Sequence, residues 1–283
     1  MKFAFRAKRA GSIPAMIFFV LFLTLLSISG SVFLSVGNGN PINKVTHSLW
    51  ENQSFKQSAG NYLVSKTLEG ATGDERKLLL KKGPQISTAI TDFLGNPLLH
   101  QGVDQISDLA YIYYSSEPGV VQSIDIRPIA RLIFESLKSI DPQFASLGNE
   151  IDKIEPIKLQ AQKDGPNIYE MKKGLNLAVI LTLLLTFLTL FLYVIFARDL
   201  KAVLRWIGLT LFIEGAFLIG LFIVFGALVA HQASAATESL AREAIPLAAH
   251  PLLAPLLIVG IFELLIGLAI FLSSFLRQVS QRN

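Results

Sequence analysis

The stretch Ile207–Ala230, IGLTLFIEGAFLIGLFIVFGALVA, decides the fold. As a helix rising about 1.5 Å per residue it outspans the roughly 30 Å of hydrocarbon in a bilayer, and its one charged side chain is Glu214. Three other runs pass the same length test: Ile13–Val36, Leu175–Ala197 and Leu252–Leu276, the last carrying a second acid, Glu263. A composition of 52% hydrophobic against 16% charged residues agrees with an integral membrane protein. The pattern predicts an all-α membrane protein in which four transmembrane helices form a bundle. A mainly helical extracytoplasmic domain is inserted between the first two helices.

The basic residues give an orientation. Lys2, Arg6, Lys8 and Arg9 precede the first run, Arg198, Lys201 and Arg205 follow the second, and Arg277 and Arg282 follow the fourth. With four crossings all three clusters share a side, and the positive-inside rule makes it the cytoplasm. The expected order is a cytoplasmic tail 1–12, a transmembrane helix 13–36, an extracytoplasmic domain 37–174 and a second transmembrane helix 175–197. A cytoplasmic link 198–206, a transmembrane helix 207–230, an extracytoplasmic hairpin 231–251, a transmembrane helix 252–276 and a cytoplasmic tail 277–283 complete it. This is the plan of a multi-pass protein of a bacterial inner membrane, with both termini cytoplasmic and the lipid bilayer as its first partner. A cleaved signal peptide is the rival reading of the N-terminus; the length of the apolar run and the lack of an A-x-A site after it favour an uncleaved anchor.

The segment 37–174 reads as four or five short helices. Gly37-Asn38-Gly39-Asn40-Pro41 breaks the first span, Ser12 and Pro14 suit its start, and Lys82-Gly83-Pro84 reads as a helix stop. Asn96-Pro97 starts a helix with Leu99, Val103, Ile106, Leu109, Ala110 and Tyr113 inward. From Asp141 to Pro166 the pattern is irregular, with room for one short strand. Fifteen Lys and Arg against sixteen Asp and Glu leave Gly37–Gly174 at about −1, so no nucleic-acid partner is expected. Cysteine is absent, which excludes thiol chemistry and leaves this domain to hold by its own core. No phosphate loop or catalytic ordering occurs, so neither an enzyme nor a cofactor is expected.

Polar stripes mark the spans. Thr182, Thr186, Thr189 and Tyr193 recur at helical spacing on the second, and Thr24, Ser27, Ser31 and Ser35 on the first. Thr210 lies one turn before Glu214, and Gly260 and Gly267 share a face with Glu263. Glu263 stands about 16 Å and Glu214 about 24 Å from the outer ends of their spans. No Lys, Arg or His lies in a span to pair with them, so each acid is cheapest when neutral and donating to a hydroxyl, a carbonyl or the other acid. Two readings stay open. The acids and hydroxyls either knit the helices together, with the glycines allowing close approach, or relay protons or cations.

His231 and His250 bracket the hairpin around Glu238 and Glu243, which reads as an interfacial helix with Leu240, Ala244 and Leu247 toward the membrane; a metal site there is the lesser reading. His47 and His100 read as isolated surface residues, and Trp206 and Tyr169 as interface anchors. In Ser123-Ile-Asp-Ile-Arg-Pro128, Asp125 and Arg127 read as a buried ion pair in a capping turn, with a ligand-binding turn as the alternative.

The plan of anchor, helical exterior domain and three clustered spans, with Ser123–Pro128 before a helix and the basic link Ala197–Arg205 leading to Gly208, resembles a widespread kind of uncharacterised bacterial four-span membrane protein. That resemblance implies no activity. The one-then-three arrangement is also similar to permease subunits of the FtsX and MacB type, which would imply a cytoplasmic ATPase partner. Those have a long amphipathic N-terminal helix and a cytoplasmic coupling segment, where this chain has a short tail and a short link. Three functions therefore follow as expectations: a non-enzymatic protein whose exterior domain binds a partner, envelope component or ligand; a proton- or cation-coupled transporter using Glu214 and Glu263; or an ATPase-coupled permease subunit.

Overall fold

The computed structural model describes residues 2–116, 121–140, 151–160, 168–197 and 199–279. It is predominantly helical. In chain order the elements are α1 (Lys2–Val32), a π-turn (Phe33–Gly37), α2 (Pro41–Glu51), α3 (Gln53–Gly70), α4 (Gly73–Leu94), α5 (Pro97–Ser115), β1 (Val121–Ile124), α6 (Arg127–Ile140), β2 (Ile157–Gln160), α7 (Ile168–Phe196), α8 (Leu200–Ala235) and α9 (Ser239–Val279). Four stretches, Ser12–Gly37, Ile168–Phe196, Leu200–Ala235 and Ser239–Ser274, are long and apolar enough to cross a membrane, which makes this a multi-pass membrane protein.

The chain divides into two compact units. The first comprises Met1–Asn38, Met171–Gly226 and Leu252–Asn283, the second Gly39–Glu170 with Ala227–Pro251. Most of the expected domain 37–174 thus groups with Ala227–Pro251, which is the end of α8, the turn after it and the start of α9.

In the first unit α8 and α9 meet backbone to backbone at two pairs of glycines. A Cβ placed on Gly208 would lie 2.7 Å from the Phe271 N, and one on Gly267 would lie 2.6 Å from the Gly208 O. Seven residues along, a Cβ on Gly260 would sit 2.9 Å from the Gly215 O, and one on Gly215 would collide with Gly260 and Leu264. Between membrane helices there is little hydrophobic drive, so such close approach is how van der Waals contact accumulates. Tyr193 of α7 packs with Ala15 of α1 and Val203 of α8, flanked by Met16 and Ile207.

The second unit is ordered by asparagine caps. Gly39 takes a positive φ of 87°, which a glycine tolerates, and Asn40 then accepts hydrogen bonds from Ile42 N (2.9 Å) and Asn43 N (3.2 Å) with Pro41 in the first turn of α2. Asn52 and Asn96 cap α3 and α5 in the same way, through Phe55 N and Leu98 N. β1 and β2 pair antiparallel, Val121 opposite Gln160 and Ile124 opposite Ile157, a small departure from an all-helical fold.

Several boundaries differ from expectation for identifiable reasons. α1 begins at Lys2 rather than Ser12 and carries Pro14 inside. α4 does not stop at Lys82-Gly83-Pro84 but runs on to Leu94. Packing on α3 overrides the local signal: Ser87 Oγ donates to Asn61 Oδ1 at 2.6 Å, and a Cβ at Gly60 would lie 2.7 Å from the Ser87 O. On α5 Leu99, Gly102 and Ser107 are buried while Ile106 is exposed, because α2 covers that face and brings Thr46 to within 3.5 Å of the Ser107 hydroxyl. The segment 231–251 comprises the end of α8, a short turn and the start of α9. Most of it is the start of α9, which belongs to the second unit: Tyr62 Oη donates to Glu238 (3.1 Å) and Ser58 Oγ to Glu243 (2.7 Å). Pro251 has no N–H to bond the Leu247 carbonyl four residues back, and Ser48 Oγ donates to that carbonyl instead, at 2.8 Å. Of the irregular reading of Asp141–Pro166, only 151–160 lies within the described residues, and there β2 forms.

The glycine contacts carry a direct expectation. Gly215→Ala or Gly267→Ala forces α8 and α9 apart and should cost about 1–3 kcal/mol, read as a lowered thermal unfolding midpoint in detergent. Gly220→Ala, where a Cβ would meet nothing within 4 Å, should leave the midpoint unchanged.

Candidate functional site

The hydroxyls come first, because their protons decide what the acids can do. On α1, Thr24 Oγ1 donates to the Val20 O (3.0 Å), Ser27 Oγ to the Leu23 O (3.0 Å) and Ser31 Oγ to the Ser27 O (2.7 Å). Ser35 Oγ reaches the Leu252 O of α9 at 2.6 Å. On α7, Thr182, Thr186 and Thr189 likewise donate to the carbonyls of Ala178, Thr182 and Leu185, each at 2.7 Å. This is the usual resort of Ser and Thr in a helix without water, and it leaves their oxygens as acceptors.

Both acids turn to α1. Glu263 Oε1 lies 2.5 Å from Ser27 Oγ, and the carboxyl group of Glu214 is hydrogen-bonded with the Thr24 side chain. One hydroxyl proton cannot serve two acceptors fully. The Ser27 proton is shared between the Leu23 O and Glu263 Oε1, one turn from where Thr24 meets Glu214. Glu214 is only 4% exposed, and its Oε1 is buried with no hydrogen-bond partner; the same holds for Glu263 Oε2. Among the described residues no hydrogen bond joins the two acids.

The residues singled out on the second span lie elsewhere. Thr186, Thr189 and Tyr193 are buried, and Thr182 comes within 3.5 Å of the Ser29 hydroxyl, so that stripe packs against α1 without bonding either acid. Thr210 does join Glu214. Together with Thr24 they are the polar lining of a groove of about 410 Å³ between α1 and α8, otherwise walled by apolar side chains including Trp206. Thr24 and Ser27 are the partners that the spacing left undecided, since both hydroxyl stripes had the same helical period.

The other candidates resolve more simply. Asp125 and Arg127 do pair: Arg127 Nε donates to Oδ1 at 2.7 Å, Nη2 to Oδ2 at 2.6 Å and the Arg127 N–H to Oδ1 at 3.1 Å, which caps α6. The pair is exposed rather than buried. His100 is not isolated; it stacks on Trp50 at 5.7 Å, and its Nε2 lies 2.6 Å from the Leu94 O. His47 pairs with Glu51 at 3.0 Å. No group of three or more potential metal ligands occurs among the described residues, and Glu238 and Glu243 are engaged by Tyr62 and Ser58.

No protein-family model, curated protein or solved structure matches this chain.

Two measurements test this geometry. Ser27→Ala strands the Glu263 carboxyl in hydrocarbon and should lower stability in detergent by about 1–2 kcal/mol, whereas adding Glu263→Leu to it should recover much of that loss. For Asp125, the hydrogen bonds from Arg127 hold the carboxyl down at about 2, from an ordinary value of 3.8. Its stabilising pairing is therefore complete above about pH 4 and lost as pH falls through 2, and a carboxyl carbon titration by NMR should show that midpoint rise toward 3.8 in Arg127→Gln.

Proposed function

We propose that this is a non-enzymatic protein of a bacterial inner membrane whose helical unit stands on the extracytoplasmic side and binds a protein or envelope component there. The observation that carries it is a core too small for its own apolar residues. Within Gly39–Glu170, among the described residues, Leu63, Leu80, Leu98, Ile106, Ile112, Tyr114 and Ile157 are exposed, while Val64, Leu99 and Ile151 are the large apolar side chains that are buried. A water-facing helical unit that leaves more large apolar side chains outside than inside is suited to being covered by a partner.

The sidedness is supported by the basic clusters at Lys2–Arg9, Lys201–Arg205 and Arg277–Arg282, which the positive-inside rule assigns to the cytoplasm. It is supported also by the make-up of the second unit. Its two main stretches follow the first crossing and the third, and with four crossings these share a side.

A photo-crosslinking amino acid placed in turn at the seven exposed positions, in the full-length protein in cells, tests the reading. A discrete adduct at two or more of them, with none at the buried Leu99, is the expected result. Absence of an adduct at all seven would leave the binding role without support.

A further inference from the structure

On α8 the residues Lys201, Arg205, Leu209, Ile213 and Phe217 stand four apart, so they form one ridge along the helix. The last three wall the groove of about 410 Å³ between α1 and α8, with Met16 and Val20 among the residues lining it from α1. The first two are cations. Trp206, exposed, lines the groove at the level where charge gives way to apolar sequence. From Trp206 to Phe217 the lining descends eleven residues, a rise of about 16 Å, and half of a roughly 30 Å hydrocarbon layer is about 15 Å. The groove is therefore as deep as one leaflet. Ile213 and Phe217 are exposed along it, which leaves it open sideways to lipid. It asks for nothing polar: Glu214 is only 4% exposed with its Oε1 buried, and the Thr24 hydroxyl is engaged by the Val20 O and the Glu214 carboxyl.

We infer that this groove seats one acyl chain of an anionic phospholipid, drawn from the leaflet bordering the link between α7 and α8, with the lipid phosphate beside Lys201 and Arg205. The charge at its mouth favours that occupant. From Arg198 to Trp206 the sequence holds three cations and one acid, Asp199, whose Oδ1 accepts from the Lys201 N–H at 2.9 Å. Both cations of the ridge stand in the first two turns of α8, where the positive end of the helix adds to their charge and does not offset it. Basic residues at the membrane surface draw anionic lipids by this means. A zwitterionic lipid would fill the apolar part equally well but bring its own cation to the mouth. A second copy of the chain, related by an axis along the membrane normal, would set its own Lys201 and Arg205 at the same depth, like charge near like. The assignment is independent of what the helical unit binds and of the side of the membrane on which it stands.

The test is photolabelling of the full-length protein in nanodiscs with two lipids that carry the same diazirine-bearing acyl chain, a phosphatidylglycerol and a phosphatidylcholine. In the native protein the anionic lipid should label peptides containing Met16–Thr24 and Leu209–Phe217 at a roughly five- to thirtyfold lower mole fraction than the zwitterionic one. Replacing both cations, Lys201→Gln with Arg205→Gln, should bring the two lipids level. Val20→Trp, which fills the groove and leaves both cations in place, should lower labelling of Leu209–Phe217 severalfold for both lipids. Equal labelling by the two lipids in the native protein would overturn the assignment, whether or not the tryptophan variant folds. So would a preference that survives the double glutamine substitution, or labelling that Val20→Trp leaves unchanged. Absence of label from these peptides in a protein that native mass spectrometry shows as a dimer would give the groove to a second copy instead.

Discussion

Everything in the membrane unit depends on two helix backbones touching. α8 and α9 approach until Gly208 meets Gly267 and Gly215 meets Gly260, and at those four positions a Cβ would collide with the facing helix. Glu214 precedes one of these glycines and Glu263 lies between the other two, so both acids sit at the margin of the contact rather than within it. The side chains at that margin turn to the next neighbour, which is α1. Close packing at the glycines and the meeting of acids with hydroxyls are thus one arrangement seen from two sides.

The hydroxyls of α1 divide their hydrogen bonding between their own helix and the acids. A serine facing an acid usually reads as a donor to a carboxylate. Ser27 does so while also bonding the Leu23 carbonyl, and Thr24 stands in the same relation to Glu214 and the Val20 carbonyl. Each carboxyl keeps one oxygen out of these contacts. For both Glu214 and Glu263 that second oxygen is buried and unmatched within the chain.

The membrane helices were readable from length and apolarity because a bilayer imposes both on the sequence directly. The acids were readable for the same reason, as departures from an otherwise unbroken composition. Their partners were not, because the stripes Thr24–Ser35 and Thr182–Tyr193 both recur at intervals of three and four, and only tertiary packing chooses between them. Gly208 and Gly215 were invisible as a pair without their counterparts 45 to 59 positions away. In the other unit, cap signals such as Asn40-Pro41 and Asn96-Pro97 act within four residues and could be read locally, whereas Lys82-Gly83-Pro84 looked like a stop until α3 supplied a surface for α4 to continue along.

Pro251 has a further consequence, one for the order in which the protein is made. The carbonyl that this proline leaves unbonded at Leu247 is satisfied by Ser48, 199 positions earlier. Ser58 and Tyr62 similarly await Glu243 and Glu238. Because synthesis runs from the N-terminus, α2 and α3 emerge long before the segment that closes on them, and two membrane helices must be threaded in the interval. The helical unit therefore spends much of its biogenesis unfinished, with polar and apolar groups open that the mature chain covers. Its folding is a reaction between early and late segments, and its completion reports that the membrane helices in between have been inserted.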